Sequence, residues 1–417
     1  MNEQELRELV NPVFNTAKAC VQLDAAVGDE DAIRLLDALG FKAFGAQMSQ
    51  KAVPEEMLAQ IRKLTPAYTI LIETRFQCMN RLIEERKDRE IVDLPCGYTS
   101  RGIRLSREGR TYYGLDLPAV VDAIGPAVEK IIGKKEEIAY HAVDATNYES
   151  LEAAITKANH KLLITTEGLL MYFVQSELEE VFSAIHRLLQ KHGGSWVIAD
   201  RAYFHFDQAV VAAALGNDPA LTALYGAITS RAAATTADAQ FKTSVFFDPE
   251  DEKVKEFIQK MGFELHEFCM GDYLPDSIAS LREYPEREAP VREVFRKMMF
   301  WELTVAEKEM KEPSSSDANL PFKVESSVKD GTFEVSIQGR MDTITAPELL
   351  RQFQNAGSGL KAIHVDVSRM PYVSSAGLRV LLMMYKSLED KNLFKMTGVR
   401  DEVRDILETT GFDQFLL

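Results

Sequence analysis

The sequence predicts an α/β protein in which two alternations of strands and helices follow one another. Between residues 90 and 200, five short β-rich runs alternate with helix-sized segments, which predicts a parallel sheet covered on both faces. A second, smaller alternation occupies residues 322–417. Between the two, residues 308–321 are polar, with two prolines and three consecutive serines, which is typical of a linker.

Composition indicates a folded protein and argues against nucleic acid as a partner. A chain of 417 residues suffices for roughly two to three domains, and 46% apolar with 27% charged residues is typical of a folded protein. The net charge is -16, and residues 1–320 carry -15 of it. Because so acidic a surface repels phosphate backbones, we expect no nucleic-acid substrate.

Neither a metal site nor a membrane segment is expected. The four cysteines lack CxxC spacing and the seven histidines lack metal-ligand spacing, which favours a reduced, cytoplasmic, metal-free protein. We expect all four cysteines to be small buried apolar residues. No run approaches the roughly 18 apolar residues of a membrane span. The N-terminus also lacks the basic and apolar regions of a secretory signal.

Four segments are predicted along the chain. Residues 1–88 are expected to be helical, because Glu55 and Glu56 follow Pro54 at a helix start and residues 68–86 carry apolar side chains at helical spacing. They would form a helical N-terminal cap on a domain of residues 89–307. The linker, 308–321, and a second domain, 322–417, would follow.

Acidic residues end four of the five predicted strands: Asp116, Asp144, Glu167 and Asp200. In an open α/β sheet the carboxyl ends of the strands line the ligand crevice. The first strand turns into a helix through Asp93-Leu-Pro-Cys-Gly97, and Asp116, 23 residues after Asp93, is placed to bind two ribose hydroxyls. The loop lacks the glycines and the basic partner that a pyrophosphate needs. The predicted ligand is therefore a nucleoside without phosphates, such as S-adenosylmethionine.

This region resembles the class I S-adenosylmethionine-dependent methyltransferases, and among them the leucine carboxyl methyltransferase-like O-methyltransferases. The resemblance covers about residues 60–305 and implies a Rossmann-like sheet beneath a helical cap. The matching motifs are Asp93-Leu-Pro-Cys-Gly97, Asp116-Leu-Pro118, Asp144 and Thr166-Glu-Gly-Leu-Leu-Met-Tyr172.

The resemblance also implies a role for individual residues around S-adenosylmethionine. Gly97, in the loop that Asp93 begins, would abut the methionine part, and Asp116 would bind the ribose. Asp144 with Ala145 would flank the adenine. Glu167 with Gly168 would face the amino-acid end of the cofactor, and Arg75 is assigned to its carboxylate.

Methyl transfer requires alignment of the acceptor and exclusion of water more than covalent help. A hydroxyl acceptor needs a general base and a carboxylate does not. No sequence signature pairs a histidine with an acid, which favours acceptors that are already nucleophilic, and Tyr172 and His205 are the candidate catalytic residues. We expect a small-molecule hydroxyl or carboxylate as acceptor, covered by the alanine-rich insertion at 208–240. Core packing is favoured over a substrate wall for the aromatic group Tyr203-Phe204-His205-Phe206.

In the second domain, strands are predicted at 332–338, 361–367 and 393–397, with helices near 347–355, from Ser375 and at 400–410. Ser375 would be the N-cap of its helix, with Ala376 and Gly377 in the first turn. A phosphate placed there would meet the positive end of the helix. The sequence alone leaves a plain N-cap equally open.

Residues 322–417 resemble a STAS domain, the fold of bacterial anti-sigma factor antagonists. The resemblance implies that a kinase phosphorylates Ser375, that Asp342 lies close to it, and that the partner is an anti-sigma or kinase-type protein. The matching motifs are Gly339-Arg-Met-Asp342, Asp366-x-Ser368, Ser374-Ser375-Ala-Gly377-Leu378 and Thr409-Thr-Gly411-Phe412.

Three alternatives stay open at this stage. The first domain could be a degenerate methyltransferase that only senses S-adenosylmethionine within a signalling or scaffold protein, because Pro95 replaces the first loop glycine. The second domain could bind partners without any phosphorylation. A nicotinamide enzyme is disfavoured, because the glycines for a pyrophosphate are missing.

Overall fold

The structure is a computed structural model that describes residues 14–44, 55–235, 244–305, 320–357, 359–400, 403, 404, 406 and 407. The described residues form two compact units, one within Phe14–Lys308 and one within Glu309–Leu417. Most of the predicted linker and the motif at 409–412 lie outside the described residues, as does most of the helix predicted at 400–410. No helix in the described ranges is long and apolar enough to cross a membrane.

The first unit is an α/β domain preceded by helices, as predicted. Its strands are β1 (Glu90–Asp93), β2 (Tyr112–Asp116), β3 (Ile138–Ala142), β4 (Leu162–Thr166), β5 (Gly194–Ile198), β6 (Phe263–Cys269) and β7 (Met299–Val305). Its helices are α1 (Phe14–Ala26), α2 (Glu30–Leu39), α3 (Glu55–Glu85), α4 (Arg101–Arg107), α5 (Pro118–Ile132), α6 (Tyr148–Ala154), α7 (Gln175–His192), α8 (Asp200–Ala214), α9 (Pro219–Thr235), α10 (Asp251–Lys260) and α11 (Glu288–Phe295).

The strands of this unit form one sheet in the order β3-β2-β1-β4-β5-β7-β6. β1 to β5 are parallel, and β7 is antiparallel to both β5 and β6. Strand order reverses between β1 and β4, and ligands of open α/β sheets bind at the carboxyl ends of such a pair. The fold therefore places the ends of β1 and β4, at Asp93 and Thr166, beside the expected crevice.

The second unit is a four-stranded sheet with helices, again as predicted. Its elements are β8 (Lys323–Lys329), β9 (Thr332–Gln338), α12 (Ala346–Asn355), β10 (Ala362–Arg369), α13 (Ser375–Ser387) and β11 (Phe394–Thr397). The sheet order is β11-β10-β9-β8, with β8 antiparallel at one edge. Alternate residues of β9 (Phe333, Val335 and Ile337) are buried in a core shared with α12 and α13. β8 was not predicted.

The cysteine prediction is half wrong. All four thiols are free, but only Cys78 and Cys96 are buried, whereas Cys20 and Cys269 are half-buried. Cys20 lies on α1 with its sulfur 3.9 Å from Arg75 Nη2. The charged side chain of Arg75 beside it explains why Cys20 does not lie in an apolar interior.

Because each unit has its own hydrophobic core, we expect residues 1–308 and 322–417 each to fold alone. Differential scanning calorimetry of the two fragments should give two separate cooperative transitions, each close to one seen in the full chain. A single transition of the full chain with neither fragment stable would contradict this expectation.

Candidate functional site

The carboxylate at the end of β1 is fully engaged inside the protein. Asp93 is 1% exposed and accepts hydrogen bonds from Arg101 Nη1 at 2.7 Å, Tyr112 Oη at 3.0 Å and Thr165 Oγ1 at 2.9 Å. These donors come from α4, β2 and β4. Asp93 therefore links the three elements around the crevice. A contact between Asp93 and the cofactor, as predicted, would come in addition to these three hydrogen bonds.

Arg101 is the central residue of the site, and the sequence analysis missed it. Its guanidinium is 1% exposed and spans the end of the sheet, donating to Asp93, to Glu167 Oε1 at 2.6 Å and to Asn80 Oδ1 at 2.9 Å. Burial alone would lower the pKa of Arg101, but the two carboxylates raise it above its usual range. The Arg101 side chain thereby links β1, β4 and α3 at the point where the strand order reverses.

Glu167 and Arg75 lie together in the structure. Glu167 Oε2 is 3.7 Å from Arg75 Nε, so two guanidiniums flank this carboxylate. Burial raises the pKa of Glu167, against the opposing pull of Arg101 and Arg75. Arg75 comes from α3, so the helical cap supplies one side of the site.

Asp200 has a different role from the other strand-end acids. It is the first residue of α8, is 1% exposed, and accepts hydrogen bonds from the backbone N–H groups of Gly168 at 2.5 Å, Leu169 at 2.9 Å and Leu170 at 2.8 Å. Asp200 thus fixes the turn that carries Glu167. The carboxylate oxygens of Asp200 are therefore engaged by the backbone of this turn.

Open space lies beside the first loop. Gly97 has a φ of +51°, which favours glycine, and a Cβ added there would meet no atom within 4 Å. The nearby Thr99 hydroxyl is buried and has no hydrogen-bond partner among the described residues. An unpartnered buried hydroxyl in this loop is a feature that a bound ligand would satisfy.

Asp116 borders the same loop. Its two oxygens accept hydrogen bonds from Gly97 N–H and Leu117 N–H, each at 2.7 Å. Burial raises the pKa of Asp116 to about 6, against the effect of these two bonds. The carboxylate has lone pairs left for two hydroxyl donors.

Asp144 and Ala145 follow β3 in a tight turn. Asp144 is 3% exposed, and its Oδ1 accepts from the backbone N–H of Thr146 at 2.8 Å and from the Thr146 hydroxyl at 2.5 Å. The turn fixes the direction of the carboxylate at the carboxyl end of β3, on the same edge of the sheet as Asp116.

The two candidate catalytic residues differ in their surroundings. Tyr172 is half-buried in a short turn, Leu170–Tyr172, directly after the segment that Asp200 holds. His205 is exposed on α8, with its ring in edge contact with Phe204. Partial desolvation by its neighbours, followed by the charge of Arg201, lowers the pKa of His205. Neither geometry identifies a general base.

The aromatic group after β5 is not uniformly core. Tyr203 is buried and donates to Thr74 Oγ1 at 3.3 Å, and its ring centroid is 5.8 Å from the Arg75 guanidinium. Phe204 is 42% exposed. Core packing is therefore confirmed for Tyr203, which lies in the hydrophobic core next to Arg75, and it fails for the exposed Phe204 and His205.

The insertion between the fifth and sixth strands packs on the helical cap. Tyr225 of α9 contacts Tyr68 of α3 with ring centroids 5.0 Å apart, and Phe44 lies 6.0 Å from the same ring. Tyr68 precedes Arg75 by seven residues, so both lie on one face of α3, about 10 Å apart. An aromatic surface thus adjoins the polar site.

In the second unit the structure corrects the helix cap. Ser374, not Ser375, is the N-cap of α13: it is 3% exposed, has extended backbone, and accepts from Gly377 N–H at 3.4 Å. Ser375 is the first helical residue and is half-buried. A Cβ on Gly377 would lie 2.9 Å from the Met341 carbonyl oxygen, so the close approach of these segments requires glycine.

Asp342 stands beside this helix start. Its Oδ1 accepts from Ile344 N–H at 3.1 Å, Thr345 N–H at 3.0 Å and the Thr345 hydroxyl at 2.9 Å. The preceding residue, Met341, accepts from Ser374 N–H at 2.9 Å. The chain at Asp342 is thereby joined to the serine pair.

Each of the two domains matches the model of a known family. A family model described as leucine carboxyl methyltransferase matches residues 11–186, and a model described as Mlab, STAS domain, matches residues 325–417. An anti-sigma-B factor antagonist of Staphylococcus aureus is 30% identical over 105 residues, which cover 23% of this chain and 92% of that protein. The chain belongs to the STAS family through its C-terminal domain, and the domain before it matches the leucine carboxyl methyltransferase family model.

Further similar proteins and solved structures align with parts of the chain. For the STAS domain, an anti-sigma-B factor antagonist of Staphylococcus epidermidis is 29% identical over 105 residues, 92% of its length. A crystal structure of an anti-sigma factor antagonist from Mycobacterium paratuberculosis is 29% identical and covers 24% of this chain and 86% of that one, with a TM-score of 0.20. For the methyltransferase domain, an O-methyltransferase family protein from Burkholderia thailandensis is 15% identical, covering 58% and 60% of the two chains, with a TM-score of 0.32.

Proposed function

We propose that this chain is an S-adenosylmethionine-dependent O-methyltransferase acting on a small molecule, with a STAS domain that regulates or positions it. The observation that carries the proposal is the open space at Gly97 beside Asp116, in a loop that also holds the unpartnered Thr99 hydroxyl. Methyltransferase family membership implies S-adenosylmethionine use in general.

The residues present fit an adenosyl ligand. Asp116 would accept from the ribose hydroxyls, Asp144 with Ala145 would flank the adenine, and the Arg75 guanidinium would bind the carboxylate of the amino-acid end. When bound, S-adenosylmethionine supplies a methyl group already activated on its sulfonium. The chain's own task is to hold both reactants in line and to exclude water.

The acceptor is proposed to present an oxygen nucleophile on a molecule with an apolar or aromatic part. The aromatic surface of Phe44, Tyr68 and Tyr225 supports the second half of this proposal. The name of the matched family, leucine carboxyl methyltransferase, supports a carboxylate as the oxygen. A carboxylate needs no general base, which agrees with the surroundings of His205 and Tyr172.

Transfer of a radioactive methyl group from S-adenosylmethionine to a metabolite extract tests this assignment. The full chain is expected to label a small molecule, and base treatment should release the label as methanol if the acceptor is a carboxylate. Base-stable label on an oxygen would indicate a hydroxyl acceptor. Label on nitrogen or carbon would contradict O-methylation.

The STAS domain is proposed to bind an anti-sigma or kinase-type protein through the start of α13, with Ser375 as the phosphorylated switch and Asp342 beside it. Support comes from burial: Ser374 is 3% exposed and caps the helix, so Ser375 presents the more accessible hydroxyl. A phosphate on Ser375 would lie at the positive end of α13.

Ser375→Asp is expected to leave the melting temperature of residues 322–417 nearly unchanged and to abolish binding of such a partner. A negative charge is tolerated at a helix N-terminus, while a charge of about -1.5 to -2 from phosphate disrupts an acidic or apolar docking surface. Ser375→Ala is the matched control and should still bind. Mass spectrometry that locates the phosphate on Ser374 or Ser368 would refute the assignment.

A further inference from the structure

One buried acid of the methyltransferase domain is left without a partner. Asp24, on α1, is 4% exposed, yet its carboxylate makes no hydrogen bond or ion pair with any described residue. Buried carboxylates are almost always paired, because removing an uncompensated charge from water is energetically unfavourable. An unpaired one in a native fold calls for a ligand or a function.

Asp24 faces the site at Arg75. Cys20 lies one turn earlier on the same face of α1, and its sulfur is 3.9 Å from Arg75 Nη2. The charges that act on Asp24 include Arg75 and Glu167 of the site, together with Glu73 and Asp29. Burial, followed by repulsion from Asp29, raises the pKa of Asp24 well above its usual range.

The neighbouring acids all have partners of their own. Glu167 is flanked by two guanidiniums. Glu73 accepts from the backbone N–H groups of Ala279 at 2.6 Å and Ser280 at 2.7 Å. Asp29 caps α2 through a bond of 2.7 Å from Ala32 N–H. Only Asp24 in this group is uncompensated among the described residues.

The balance of buried charge around the switch point therefore calls for a cation. Arg75 and Arg101 are the two guanidiniums of this group. The carboxylates of Asp93 and Glu167 lie within ion-pair distance of a guanidinium, and that of Asp200 is held by backbone N–H groups, whereas Asp24 has neither kind of partner. Glu167 was expected to face the amino-acid end of the cofactor, but its charge is already neutralised. The carboxyl group that lacks such a partner is that of Asp24.

We propose that Asp24 binds the ammonium group of the amino-acid end of the cofactor, while Arg75 binds the carboxylate of the same end. This inference rests on the proposed use of S-adenosylmethionine. The inference gives α1, the first helix of the cap, a direct contact with the ligand. The Asp24 carboxylate on α1 would then lie opposite the Arg75 guanidinium on α3. The zwitterion then compensates Asp24 and Arg75 at once.

Calorimetric titration of the full-length Asp24→Asn variant tests the assignment with three probes. S-adenosylmethionine and S-adenosylhomocysteine both carry the ammonium, whereas methylthioadenosine lacks the amino-acid end. We expect the variant to bind the first two at least tenfold more weakly than the wild type does, and methylthioadenosine equally well. Asp37→Asn, which removes an exposed acid from the neighbouring α2, is the matched control and should change none of the three.

The other outcomes are distinct. Unchanged affinity of Asp24→Asn for both S-adenosyl ligands would overturn the inference, and so would an equal loss for methylthioadenosine. A loss confined to S-adenosylmethionine would assign Asp24 to the sulfonium and also overturn it. A melting temperature at or above that of the wild type is expected, since the change removes a buried carboxyl group that has no protein partner; a marked decrease would make Asp24 structural. Failure of the wild type to bind any of the three probes would instead refute the proposed function.

Discussion

Arg101→Met is expected to destabilise the methyltransferase domain by about 3–5 kcal/mol, the range for removing one partner of a buried ion pair. The variant would leave Asp93 and Glu167 buried without their shared cation, and Asn80 without its donor. Urea unfolding followed by tryptophan fluorescence measures this directly. Both tryptophans, Trp196 and Trp301, are buried in this domain, so the signal reports on it alone.

Arg107→Met is the matched control on the same short helix. Arg107 pairs with Asp31 at the surface, its side chain 54% exposed, and such pairs contribute about 0–1 kcal/mol. Arg101→Lys is expected to behave more like Arg101→Met, because one ammonium cannot reach Asp93, Glu167 and Asn80 together. Equal shifts in the urea midpoint for Arg101→Met and Arg107→Met would contradict the role given to Arg101.

Asp116→Ala should weaken S-adenosylhomocysteine binding by about 1.5–3 kcal/mol, the range for hydrogen bonds to a charged group. The expected reason is the loss of a carboxylate that accepts from both ribose hydroxyls. Calorimetric titration measures the change, with Glu129→Ala, an exposed acid on the following helix α5, as control. Unchanged affinity in Asp116→Ala would refute the ribose contact.

The same carboxylate predicts a pH dependence. Ribose hydroxyls donate to the ionised form, so binding lowers a pKa that burial has raised to about 6 in the free protein. Affinity should therefore be full above pH 6 and fall as the pH drops through that value, by about tenfold one unit below it. Asp116→Asn should flatten this part of the profile. A slope of the opposite sign would contradict the assignment.

The strand-end acids could be predicted because strands and their termination are local features of the sequence. β2 and β4 are short apolar runs that stop at Asp116 and just before Glu167, and parallel strands bring their carboxyl ends to one edge. The sequence does not show which of these acids contacts the ligand. Asp200 occupies the same kind of position, but its oxygens are held by backbone N–H groups of a turn 30 residues earlier.

Arg101 could not be predicted, because its environment is formed by distant segments. It begins a run of arginines spaced by three: Arg101, Arg104, Arg107 and Arg110. Arg104 and Arg107 are solvent-facing, at 36% and 54% side-chain exposure, whereas Arg101 is buried between two strand ends. The spacing alone is typical of a basic helix face.

Edge strand β8 was missed for a related reason. Its sequence, Lys323-Val-Glu-Ser-Ser-Val-Lys329, has two apolar residues and lies almost wholly exposed. The strand exists because it pairs with β9, and no hydrophobic pattern in its own sequence indicates that pairing.

The cap of α13 was misplaced by one residue, since Ser374 and Ser375 are equally good N-caps in sequence and only backbone geometry separates them.

The central claim is that the first domain binds an adenosyl cofactor without phosphates for methyl transfer. Calorimetric titration of the full chain with S-adenosylhomocysteine and, separately, with NAD tests it most directly. We expect one molecule of S-adenosylhomocysteine to bind per chain and NAD not to bind, because the first loop lacks the glycines that a pyrophosphate requires. Binding of NAD, or no binding of S-adenosylhomocysteine, would contradict it.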